Sequence, residues 1–224
     1  MDDPKIKGIV VDIDSPGGTV SGVMERADQI HASRGRKPVV GVANSKSASA
    51  AYWIGSAFDQ LYVTPSGGVG SVGVYSMHLD FSKALENEGI VPTLFAMPEF
   101  KAEFNNFSPL SDDAKEHEAG EIDRIYGQFV SAVAKHRGTT AANVRQNYGK
   151  GRMVDAQTAV AAGMADKVAT LEQVVSRMAA GRIKPGGHQA ADWGSDLRIE
   201  DESWQLKNAT ERAKSRLRME RIIN

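Results

Sequence analysis

Ser47-Ala48-Ser49-Ala50-Ala51-Tyr52-Trp53-Ile54 follows closely on the apolar, β-branched run Pro38-Val39-Val40-Gly41-Val42. The run reads as a buried strand, and the small-residue stretch that follows, Ala48 to Ala57, reads as a short helix. A serine crowded by alanines at such a junction presents its hydroxyl with little steric cover. Upstream the same order recurs: Ile9-Val10-Val11-Asp12-Ile13 is a strand that feeds the turn Asp14-Ser15-Pro16-Gly17-Gly18, and Val20, Val23, Met24, Ala27 and Ile30 then fall at helical spacing. Downstream come a strand at Gln60–Thr64, a glycine-punctuated extended stretch at 67–74, a helix from Phe81 to Glu88 closed by Gly89, and a strand at Val91–Ala96. Strand and helix alternating in this way predict an α/β fold, its sheet mostly parallel and helices on its faces.

From Ser111 to His136 the pattern turns helical and stops at Gly138. Shorter helices are expected at Thr139–Tyr148 and Asp155–Ala162, the second ending on Gly163. Thr170-Leu171-Glu172-Gln173 is a capping-box signature that opens a last core helix. After about Ala180 the character changes. Residues 181–194 hold four Gly and one Pro with little apolar content, and 198–224 carry seven Lys/Arg and five Asp/Glu around Leu206, Ala213 and Leu217. The expected organisation is a domain over 1–180, a linker over 181–197 and a charged helical tail over 198–224, read either as a solvated helix or as a segment for assembly. The first strand begins by Ile6 with almost no lead-in, which points to a fragment lacking earlier strands.

Composition narrows the chemistry. Twenty-seven Lys+Arg against 28 Asp+Glu leave a formal net charge of −1, which gives no basic footprint for nucleic acid. Cysteine is absent, so disulfides, thiolate catalysis and Cys-ligated zinc are excluded, and neither a metal nor a cofactor is expected. No apolar run reaches the roughly 18 residues of a spanning helix, and the expected setting is the cytoplasm.

Two constellations carry chemistry. In Asp14-Ser15-Pro16-Gly17-Gly18 the glycines let backbone N–H groups face a ligand, and such donors can stabilise an oxyanion, although an ordinary strand-to-helix turn would look the same. In Ser47–Ile54, Ser49 is the natural nucleophile, with Ser45 and Ser47 left open by chemistry alone. A serine needs a base. Of the five histidines, His78 lies in the same sheet region; His31, His117, His136 and His188 are expected at the surface. Lys46 enters the helix and is expected to be solvated. Lys101, in Pro98-Glu99-Phe100-Lys101-Ala102-Glu103-Phe104, has Phe100, Phe104 and Phe107 around it, which could supply the dry surroundings a neutral lysine requires, although on composition alone a snorkelling surface lysine is the commoner case.

Asp14-Ser-Pro-Gly-Gly18, Ala48-Ser49-Ala-Ala-Tyr-Trp-Ile54, Gly70-Ser71-Val-Gly73 and then Lys101, in that order, resemble the signal peptide peptidase A family, which includes phage prohead proteases. Gly151-Arg152-Met153-Val154-Asp155 and Gly163-Met-Ala-Asp166 resemble its downstream segments, so the likeness runs from about Lys5 to Met178. The family's nucleophile motif is Ala-Ser-Gly-Gly-Tyr; alanines replace both glycines here, which narrows the oxyanion region slightly. The resemblance implies a ClpP/crotonase-like fold and a serine peptidase. In it Ser49 attacks, Lys101 is the general base, Gly18 and Ala50 donate to the oxyanion, and Ser71 positions the lysine. It also implies a polypeptide substrate, a homo-oligomer in which the lysine can cross a subunit boundary, and a capsid or scaffold partner engaged by the tail. Its members divide between membrane-anchored signal peptide peptidases and soluble prohead proteases, and the charged extension favours the second. Three other readings stay open: a Ser–His–Asp protease using His78 with Asp80, an acyl-CoA hydratase or isomerase on the same fold, and a non-enzymatic scaffold module working through the tail.

Overall fold

β-Branched residues fill most of β1 (Ile9–Ser15) and open β2 (Val39–Ala48), and with the fully buried β3 (Gln60–Val63) these strands build the centre of the sheet. The computed structural model describes residues 3–186. In it, β2 is the middle strand. β1 pairs with it in parallel, Ile9 opposite Val39 through Ile13 opposite Ala43. On the other side, β3 pairs with Val40–Ala43 and β4 (Gly68–Gly70) with Lys46–Ala48, both in parallel. β6 (Lys167–Val168) continues the parallel sheet beyond β3, while β5 (Met153–Asp155) runs antiparallel to β4. The result is the expected α/β class, a six-stranded and mostly parallel sheet flanked by helices, in agreement with the ClpP/crotonase type.

The helices are α1 (Val23–Ala32), α2 (Ala50–Ser56), α3 (Ser82–Asn87), α4 (Asp112–His136), α5 (Ala141–Asn147), α6 (Ala156–Ala161) and α7 (Leu171–Ala179). Helix stops fall where the glycines predict them: Gly89, Gly138 and Gly163 all have positive φ. The capping box of α7 is formed in full, Thr170 accepting from the Gln173 N–H and Gln173 from the Thr170 N–H. One apolar cluster holds the sheet and helices together, with Ile13, Tyr52, Trp53, Leu61, Val69, Phe129 and Val133 buried in it. Tyr52 and Trp53, which follow Ser49, are core residues: Trp53 stacks on Phe129 at 4.5 Å. Among the described residues no helix is long and apolar enough to cross a membrane.

Two sequence expectations fail. Val91–Ala96 is not a strand: residues 90–96 have no regular structure. Its β-branched and apolar residues find no partner strand among the described residues, and Val91 and Phe95 are 86% and 92% exposed. His136 is not a surface residue but fully buried; its Nδ1 lies 2.9 Å from the Ser56 Oγ and its ring stacks on His31 at 4.9 Å. Burial above all, with the charges of Arg34 and Lys135 adding to it, lowers the His136 pKa from 6.5 to about 3. The unfolded chain therefore takes up a proton below about pH 6.5 that the folded chain refuses until about pH 3. Stability from this group is complete above pH 6.5 and falls on acidification, by about 2 kcal/mol between pH 7 and 5. Denaturant midpoints at the two pH values should show this loss, and His136→Gln should show a smaller one.

Residues 181–186 lie against the body, with Ile183 buried and the Gly186 N–H donating to Asp59 at 2.9 Å. The remainder of the expected linker and the tail at 198–224 lie outside the described residues.

Candidate active site

β2 leads directly into α2 through Ser49, and the turn is sharp enough to force this serine into φ 52°, ψ −124°. That left-handed backbone is uncommon for any residue with a side chain and costs about 1–3 kcal/mol. Two backbone bonds hold it: the Ser49 N–H donates to the Gly70 carbonyl at 2.8 Å, and the Ser49 carbonyl accepts from the Trp53 N–H at 2.9 Å. The Ser49 hydroxyl is half-buried and has no hydrogen-bond partner among the described residues. A strained serine at a strand-to-helix turn, its hydroxyl unengaged, is the geometry of a nucleophile elbow. Ser47 is fully buried under α2 and Ser45 sits exposed within β2, so the two alternative serines lack this geometry.

The first glycine-rich turn reaches the elbow. At Gly17 (φ +100°) an added Cβ would stand 2.7 Å from the Ser49 Cβ, 2.8 Å from the Ala48 carbonyl and 3.2 Å from the Ala50 nitrogen. The Gly17 N–H is turned back to Ser15 Oγ at 3.2 Å, whereas the next N–H, that of Gly18, has no partner among the described residues. Ala50 opens α2, where an N–H has no intrahelical acceptor. Two free backbone donors thus flank the serine. Ser71 follows Gly70, whose carbonyl holds the Ser49 N–H; Ser71 itself has φ 52° and its N–H donates to Arg152 at 2.9 Å. The structure therefore gathers Gly17, Gly18, Ser49, Ala50 and Ser71 around one elbow. Gly17, next to the glycine singled out from the sequence, is the one pressed against the serine, and the Pro16-Gly17-Gly18 run was the signal for it.

Lys101 is a separate matter. It lies in a 3₁₀ turn at Glu99–Ala102, its side chain exposed and without a hydrogen bond or ion pair among the described residues. No bond joins it to Ser49 or Ser71. The aromatic residues around it do not enclose it within this chain: Phe100 is 59% and Phe107 49% exposed. They belong to a segment over 75–107 that bares Tyr75, Met77, Val91, Phe95 and Met97 as well. His78 and Asp80 do not form an acid–base pair. The His78 Nε2 lies 2.8 Å from the Asn105 carbonyl and must donate to it, and Asp80 accepts from the N–H of Ser82 at the start of α3. Ser82 holds the Asp80 carboxyl below its usual range. Among the described residues no group of His, Asp and Glu could hold a metal ion.

A mostly parallel α/β sheet with a strained serine at the C-terminal end of its central strand and a glycine turn packed against it is the arrangement that serine hydrolases with a nucleophile elbow use. The chain belongs to peptidase family S49, whose family model matches residues 31–183. It is 32% identical to the capsid assembly protease C of Escherichia phage lambda over 79% of this chain and 40% of that protein. To the head-tail preconnector protein GP5 of Enterobacteria phage P21 it is 30% identical, over 80% of this chain and 35% of the other. To a putative signal peptide peptidase SppA of Enterococcus faecium it is 24% identical, over 80% and 52%. The chain thus spans less than half the length of the two phage proteins.

Proposed function

We propose that the chain is a serine endopeptidase in which Ser49 is the nucleophile and Lys101 the general base. The observation that carries this reading is the strained Ser49 elbow, with an unengaged hydroxyl, and with the N–H groups of Ala50, next in the chain, and Gly18, in the adjoining glycine turn, without partners among the described residues. Ser49 Oγ adds to the scissile carbonyl carbon while the neutral amine of Lys101 takes its proton. The carbonyl oxygen, now negative, is met by the two N–H donors. The lysine ammonium returns the proton to the leaving amine as the C–N bond breaks, and the same amine then deprotonates the water that releases the acyl group.

A lysine can act this way only when burial disfavours its charged form. Lys101 is exposed in the single chain, so its dry site comes from association: the apolar residues over 75–107 pack on a second copy, which brings Lys101 to a neighbouring Ser49 and Ser71. The chain is accordingly a homo-oligomer. Its substrates are polypeptides, and the two phage relatives favour capsid or scaffold proteins over signal peptides, with the charged tail at 198–224 as the segment that engages the assembly and the host cytoplasm or prohead as its setting.

Labelling with a fluorophosphonate, read by intact mass, tests the pair. Wild type should gain one label on Ser49, and both Ser49→Ala and Lys101→Ala should gain none. A mixture of the two variants should recover labelling if the lysine is supplied by a neighbour. Labelling that persists in Ser49→Ala overturns the nucleophile. Labelling that survives Lys101→Ala but fails in His78→Ala transfers the role of base to His78.

A further inference from the structure

The hydroxyl of Tyr52 has a partner that ties the elbow to a distant part of the chain. Tyr52 stands three residues after Ser49 in the first turn of α2, fully buried, and its Oη donates to the Met164 carbonyl at 2.9 Å. α2 has only seven residues and is held at both ends. At its C-terminal end the Arg34 guanidinium donates to the carbonyls of Ser56 and Ala57, both at 2.9 Å, and to that of His136 at 3.0 Å. At its N-terminal end the side-chain tether is Tyr52.

The acceptor is itself fixed. Next to Met164, the Gly163 carbonyl accepts from Arg137 Nε at 3.0 Å and from Tyr148 Oη at 3.1 Å. Asp166 receives a two-pronged contact from Arg137 at 2.9 and 3.1 Å and accepts the Leu61 N–H at 2.7 Å. The turn over 163–166 is therefore anchored to the end of α4, to the end of α5 and to β3. Met164 also reaches the other support of the nucleophile: its methyl lies 3.5 Å from where a Cβ on Gly70 would stand, and the Gly70 carbonyl holds the Ser49 N–H.

We infer that Tyr52 is a positioning residue for the acyl-transfer step: its hydrogen bond to Met164 sets the angle of the first turn of α2, and with it the aim of Ser49 Oγ and of the Ala50 N–H. This rests on the Ser49 reading above. A hydroxyl that drifts by even about 1 Å loses on the order of 100-fold in rate, and a seven-residue helix has little stiffness of its own to prevent it.

The test compares two tyrosines that donate to adjacent carbonyls. Tyr148 caps α5 and has no covalent link to α2. Tyr52→Phe and Tyr148→Phe should lower the thermal midpoint by similar amounts. Only Tyr52→Phe should slow fluorophosphonate labelling and peptide cleavage, by roughly 10- to 100-fold, with KM unchanged. 4-Aminophenylalanine at position 52, which keeps the ring and a donor, should restore most of the rate and also serves if Tyr52→Phe folds poorly. The inference is overturned if Tyr52→Phe labels at the wild-type rate, if Tyr148→Phe is slowed equally, or if the amino ring fails to recover the rate. Absence of labelling in wild type would overturn the Ser49 reading itself, a separate outcome.

Discussion

Gly17→Ala should reduce peptide cleavage and fluorophosphonate labelling by at least about 100-fold while the chain still folds. The added methyl would lie 2.7 Å from the Ser49 Cβ and 2.8 Å from the Ala48 carbonyl, and the first of these belongs to the nucleophile itself. Backbone atoms on both sides leave no flexible side chain to move aside. The φ of +100° adds a conformational penalty that only glycine escapes. Relief has to come from displacing Ser49 or withdrawing the glycine turn, and either one spoils the alignment of hydroxyl and oxyanion donors. Gly18→Ala is the matched control: a Cβ there meets nothing within 4 Å and the N–H is retained, so labelling should change by less than tenfold. Equal activity of the two variants would show that the close approach of Gly17 to Ser49 is not used.

The second large effect concerns stability. Asp166→Ala should destabilise the fold by roughly 3–5 kcal/mol, because it leaves the Arg137 guanidinium buried without its counter-charge. The pair is held by two hydrogen bonds at 2.9 and 3.1 Å with Arg137 almost fully enclosed. Replacing both partners, Arg137→Met with Asp166→Leu, should recover part of that loss. The Leu61 N–H would still lose its Asp166 acceptor, while the Gly163 carbonyl would keep Tyr148 as a donor, a residual cost of about 1–3 kcal/mol. Guanidinium midpoints of the single and double variants measure both quantities; a single variant within 1 kcal/mol of wild type would show that water reaches Arg137 and that the pair is not an enclosed one.

The parts of the fold legible in the sequence are those whose signals are local. β1 and the start of β2 announce themselves as β-branched runs, β3 as a short apolar one, and α4 and α7 as periodic stretches with a cap or a glycine stop. β5 and β6, three and two residues long, are too short to carry a period. Val91–Ala96 failed for the opposite reason: its apolar pattern is real, yet pattern reports that a residue wants to be covered, not by what, and among the described residues no element covers it. His136 was misplaced although Phe129, Val130, Val133 and Ala134 put the buried stripe of α4 at its very end, where a histidine is drawn inside with them. At the site, crowding by small residues pointed to Ser49, and its left-handed backbone, invisible in sequence, is what separates it from Ser45 and Ser47. The phenylalanines around Lys101 marked it in the sequence, but only family likeness gave it a role, since among the described residues nothing encloses it.

The twist at Ser49 has a thermodynamic side. A domain of this kind is about 5–15 kcal/mol more stable than its unfolded state, and about 1–3 kcal/mol is given up at a single residue. Glycine would sit in the same backbone at almost no cost, so a search for the most stable sequence on this scaffold would delete the hydroxyl first. Robustness and reactivity are opposed at one position, and a variant chosen for heat resistance alone can reach it by erasing the chemistry.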